Sequence, residues 1–84
     1  MLWYEIWYNK EFDTYALLVA RMDGDGTVYT VDYGVQMWAK EYKRASAAVK
    51  YLTKGGYECA KSVITIGKNQ TCPKIFNGQL VERS

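Results

Sequence analysis

The chain contains no histidine. That absence bounds its chemistry more tightly than any residue it has. Histidine is the commonest general base and the side chain that titrates nearest neutral pH. Without it, Ser-His and Cys-His nucleophile pairs are excluded. The glycines at 24, 26, 55 and 56 match neither GxGxxG nor GxxxxGK[ST], so no loop is spaced to cradle a phosphate. Asp23-Gly24-Asp25-Gly26 begins like a calcium loop, but Val28 stands where that loop needs glycine. Gly34 stands where it needs its bidentate glutamate. Cys59 and Cys72 give two sulfurs and no partner ligand set for zinc. Glu41, Tyr42, Lys43 and Arg44 are the residue types a histidine-free ribonuclease would use. Four consecutive residues on a helix point in different directions, so they do not converge. The expectation is a non-enzyme, with no catalytic residues, no cofactor and no metal.

Charge offers the next chemistry. Net charge is +2, but residues 1–35 hold six acids against two bases, and residues 36–84 hold three acids against nine bases. The halves are therefore −4 and +6. Such a split marks either a surface for a charged partner or two halves that attract each other in the fold. Lys40, Lys43, Lys50 and Lys54, flanked by Arg44, read as one cationic row. A row of this kind follows a phosphate backbone or fills an acidic groove on a protein. Glu11, Asp13, Asp23 and Asp25 fall in two loops, read here as adjacent and able to imitate the charge of a nucleic acid. Trp3 and Trp7 share a strand face with Glu5. They form a candidate contact patch, or else pack under the C-terminal segment.

These residues need a frame. An 84-residue chain, 49% hydrophobic with eight tyrosines and three tryptophans, makes one small domain, residues 1–84. The start, MLWYEIWYNK, lacks a basic lead and is interrupted by Glu5, so it is not read as a signal peptide. No apolar run approaches a membrane span. The expected location is the cytoplasm, where Cys59 and Cys72 stay reduced. In a secreted chain they would instead close a loop, and the sequon Asn69-Gln70-Thr71 would matter.

The stretch WAKEYKRASAAVKYL organises the rest. Trp38, Tyr42, Ala45, Val49 and Leu52 recur at helical spacing, with the lysines opposite. Helix is predicted over Ala45–Lys54, ended by Gly55-Gly56, with an extension back to Gln36. Val35 and Met37 also fit a strand alternation, and Ser46 offers an N-cap for a shorter helix. Leu2–Tyr8, Thr14–Met22 and Thr27–Tyr33 alternate as strands, the last two joined by a tight Asp-Gly turn. Tyr57–Ile66, with its SVITI run, is a fourth strand, and Asn77-Gly78 signals a short terminal hairpin at a sheet edge. The predicted fold is α+β: a small antiparallel sheet of about three to five strands with one amphipathic helix packed on a face, in the order β-β-β-α-β.

No helix-turn-helix, zinc-finger, RRM or KH signature is present. In length and style alone the chain is similar to small proteins of phages and mobile elements. Several of these, anti-CRISPR proteins among them, inhibit a host complex by covering its surface. That likeness implies a non-enzymatic inhibitor of a host protein or nucleoprotein complex. The alternative expectation is a nucleic-acid-binding protein that uses the lysine-rich face. Monomer and homodimer, the latter through Trp3 and Trp7, are both expected states.

Overall fold

The computed structural model describes residues 2–24, 26–35, 39–63 and 73–81. Three strands come first: β1 (Leu2–Asn9), β2 (Thr14–Asp23) and β3 (Gly26–Asp32). Each alternates apolar groups between two faces, and each is followed by turn-forming residues. Asp23 pairs with Gly26, so the β2–β3 loop holds two residues, with Gly24 at φ 58°. The β1–β2 turn is longer and is fixed by Asn9. Its Oδ1 accepts from the Glu11 and Phe12 amides, while Nδ2 donates to the Gly55 carbonyl at 3.1 Å. Asn9 is only 2% exposed, so one buried amide ties this turn to the end of the helix.

The predicted α+β order then holds with one strand added before the helix. β4 (Ala39–Tyr42) is a strand where the extended helix was expected, and it pairs antiparallel with Tyr29–Asp32 of β3. The physical reason is non-local. Lys40 and Tyr42 fit strand alternation as well as helical spacing, and the free edge of β3 offers a ladder. The helix α1 (Ala45–Lys54) starts only after a two-residue link. Arg44 is its N-cap, with no side-chain cap bond, so Ser46 does not play that part. Gly55-Gly56 ends it as predicted: Gly56 takes φ +90°, its amide bonds to Thr53 O, and the Tyr57 amide bonds to Leu52 O.

β5 (Glu58–Val63) runs antiparallel to β1, and the sheet order is β4-β3-β2-β1-β5. The predicted strand continued through Ile64-Thr65-Ile66, which lie outside the described residues. So do Asp25, Gln36 to Trp38, the Asn69-Gln70-Thr71 sequon, and Cys72 with any pairing to Cys59. A hairpin, β6 (Lys74–Phe76) and β7 (Gln79–Val81), follows. Asn77 and Gly78 both take positive φ, 49° and 75°. The hairpin is not an edge element of the main sheet. It forms its own two-stranded ladder, laid across the sheet face opposite the helix.

Both faces of the sheet are therefore covered. On one, Trp7, Ala16, Leu18 and Val31 pack against Ala48 and Leu52 of α1. On the other, Ile6, Leu17 and Val19 pack against Ile75. Among the described residues, no helix is long and apolar enough to cross a membrane.

Candidate functional site

Strand β4, the exposed side of α1, and the residues just after β3 and just before β5 bring four tyrosines and a lysine together. Lys40 and Tyr42 lie on the helix side of β4, since their partners Val31 and Tyr29 belong to the helix-side core. Tyr51 lies one position off the apolar stripe of α1 and is 36% exposed. The Lys40 Nζ sits 4.6 Å from the Tyr51 ring centre, a cation–π contact. Tyr42 meets Tyr51 at 5.9 Å between ring centres, and Tyr33 meets Tyr51 at 6.4 Å and Tyr57 at 5.6 Å. The Tyr57 hydroxyl is 3.1 Å from Thr14 Oγ1, which anchors the inner end of the cluster. Burial pushes the Tyr33 phenol well above the ordinary tyrosine range, with Tyr51, Tyr57 and Tyr42 adding to the effect. Burial also raises Tyr42, helped by Tyr51.

The other four cations singled out from the sequence are exposed. Lys43 and Arg44 are exposed in the link before α1, and Lys50 and Lys54 are exposed on α1 itself. Lys54, in the last turn, also complements the negative end of the helix. The five cations do not form one helical row. Lys40 belongs to a strand, Lys43 and Arg44 to a link, and only Lys50 and Lys54 keep the i, i+4 spacing. The neighbours Glu41 and Tyr42 face opposite sides of the sheet, so the Glu41–Arg44 run still does not converge. Strand alternation, not helical rotation, is the cause.

The tryptophans and acids are placed differently from expectation. Trp7 is 6% exposed, donates from Nε1 to Glu5 at 3.1 Å, and is core beneath the helix. Trp3 is half-buried and edge-on to Tyr29 at 6.0 Å. The contact-patch reading fails for Trp7 because α1 covers that face. Of the C-terminal segment, the alternative cover, the described part is the β6–β7 hairpin, and it lies on the other face. Glu11 and Asp13 occupy the β1–β2 turn, whereas Asp23 ends β2 at the β2–β3 turn. A ten-residue strand separates them, or about 30 Å at ~3.3 Å per residue. Successive turns of a meander lie at opposite ends, so the two acidic loops are not adjacent. Asp13, at φ 52°, accepts from the Tyr8 hydroxyl at 2.7 Å, and that bond raises the Tyr8 phenol.

The family-model, curated-protein and solved-structure comparisons return no match for this chain.

One cavity opens on the hairpin side, with a volume of about 440 Å³. Leu17, Val19 and Ile75 form its apolar part, and Arg21, Asp32 and Glu41 its polar rim. The Asp32 carboxylate is already committed, accepting from the Gly34 amide at 2.7 Å. The tyrosine cluster is what sequence reasoning missed. Its visible signals were Tyr42, placed in the helical stripe, and Tyr51, an aromatic beside Lys50 at the margin of that stripe.

Proposed function

We propose that the chain is a non-enzymatic binding protein that acts by covering part of a partner protein or nucleoprotein complex. It works as an occluding inhibitor in the style of small phage and mobile-element proteins, in the cytoplasm. The contact face is the tyrosine–lysine surface of β4 and α1. The observation that carries this reading is the Lys40–Tyr51 contact within a joined set of four tyrosine rings. Tyrosine supplies large contact area with few rotatable bonds and a polar tip, and is enriched where proteins meet. The exposed lysines match an acidic partner surface and speed encounter with it. Nucleic-acid binding along one straight lysine row has less support, because the lysines are split between a strand, a link and a helix.

A pull-down from host lysate tests the reading, using the intact chain beside Lys40→Glu/Tyr51→Ala and Glu11→Gln/Asp23→Asn variants. Capture of a protein partner is expected to fall about tenfold, roughly 1.4 kcal/mol, in the first variant. It is expected to be unchanged in the second and to survive nuclease treatment. Capture indifferent to Lys40 and Tyr51, or abolished by nuclease, rules the reading out.

A further inference from the structure

The five-stranded sheet has two outer strands, and they differ in how ready they are to accept another. β5 pairs with β1, but the pairing skips Ala60: Lys61 opposes Ile6 and Cys59 opposes Trp7. A bulge of this kind twists an edge away from flat pairing. Glu58 and Lys61 on the same short strand add charges of both signs. β4 pairs with β3 in unbroken register from Ala39 to Tyr42, and among the described residues nothing pairs with its outer edge. That regular edge borders the tyrosine–lysine surface: Lys40 and Tyr42 project from β4 itself, and Tyr51 leans over from α1.

We infer that the partner binds by strand addition, laying an extended segment along the outer edge of β4, with acidic side chains at alternate positions turned toward the helix side. This rests on the proposed contact face and specifies its occupant. Backbone hydrogen bonds to the edge would supply affinity, and alternate side chains would supply specificity. On the helix side an incoming carboxylate meets the Lys40 ammonium, with Lys43 and Arg44 just beyond in the chain. On the other side it meets Glu41, in a cavity that Arg21, Asp32 and Lys74 also line, so the charges there balance and an acid gains no net attraction. The pattern required of the partner is therefore acid and neutral in alternation, not an acidic run.

The test uses the full chain and a fluorescent peptide alternating Glu and Thr. Its comparators are a peptide of the same composition with Glu and Thr in separate blocks, a Lys/Thr alternating peptide, and a single-stranded deoxythymidine oligomer. The expected result is preferential binding of the Glu/Thr alternating peptide, with slowed hydrogen exchange at those Ala39–Tyr42 amides that do not bond to β3. Lys40→Glu, an exposed site, is expected to weaken binding about tenfold. Lys61→Glu on β5 is expected to change nothing. No binding of the alternating peptide, equal binding of the blocked one, protection on β5 instead of β4, or binding of the oligomer alone overturns strand addition. If a partner is captured through Lys40 and Tyr51 while the β4 amides exchange freely, strand addition falls and the contact face stands. If capture ignores both residues, the contact face itself falls.

Discussion

On its helix side the sheet meets one continuous ten-residue element, and the seal is made of side chains. Leu18, Val31, Ala48 and Leu52 are all fully enclosed there. On the hairpin side it meets two three-residue strands, and much of the seal is backbone. The Tyr15 amide donates to Gly78 O at 2.6 Å, the Gly78 amide to Tyr33 O at 2.9 Å, and the Asn77 amide to Gly34 O at 3.0 Å. The Gln79 side chain adds a bond to Asp13 O. Hydrophobic packing is non-directional and spread over many contacts, so it tolerates small shifts. A backbone seam demands particular conformations at particular residues. The helix side can therefore carry a variable outer surface, where the tyrosines and lysines sit. The hairpin side is constrained down to single glycines.

The largest expected effect breaks the packed seal. Leu52→Ala removes a fully buried side chain from the centre of the helix-side core and should cost about 2–5 kcal/mol. Ile75→Ala, on a hairpin that packs less apolar surface, should cost less. Thermal and denaturant unfolding of the two variants gives the comparison. A larger loss at Ile75 would mean that the hairpin, not the helix, supplies the main core.

Next in size is a break in the backbone seam. Gly34 has φ +76°, and a β-carbon there would overlap the Ile75 carbonyl of β6. Gly34→Ala combines a left-handed conformation that alanine resists with a clash that only backbone movement relieves, for roughly 1–3 kcal/mol. The damage should be local. Hydrogen exchange should quicken at the Asn77 and Gly78 amides while the α1 amides keep their protection. Uniform loss of protection in both regions would show that the two faces unfold as one unit.

The same contrast accounts for what was legible in the sequence. Ala45–Lys54 was readable because the stripe through Val49 and Leu52 and the Gly55-Gly56 stop are local signals. Asn77-Gly78 was readable as a hairpin for the same reason. The extension back through Tyr42 failed because Ala39–Tyr42 satisfies two periodicities at once, and only the neighbouring edge of β3 decides between them. Alternation put Trp3 and Trp7 on one face, but no local rule says which element covers it. Gly34 was read against the calcium-loop pattern, whereas its close approach to Ile75 depends on a segment about forty positions away. The lysines of the candidate face were all named from sequence. Of the tyrosines only Tyr42 was singled out, and as part of a helical stripe, because the meeting of the rings depends on the pairing of β4 with β3.

The smallest expected effect at neutral pH sharpens the comparison at high pH. Tyr33 lies in the helix-side cluster and Tyr8 on the hairpin side, where its ring meets Tyr15 at 4.8 Å between centres. Both phenols are raised, Tyr33 chiefly by burial and Tyr8 chiefly by its bond to Asp13. An unfolded tyrosine titrates near pH ~10. Above that pH the unfolded chain releases these protons while the folded chain still holds them, so stability falls as pH rises. The contribution is complete below pH ~10 and is lost as pH climbs through the folded values. Tyr33→Phe should thus change neutral-pH stability by less than about 1 kcal/mol while flattening the alkaline decline. Tyr8→Phe should flatten it less, because water screens an exposed phenol. Denaturant unfolding across the alkaline range, followed with tyrosinate absorbance, measures both. If the two variants give the same alkaline profile as the unaltered chain, the helix-side cluster is open to water. Its rings would then lack the partial burial that makes them anchors for a partner.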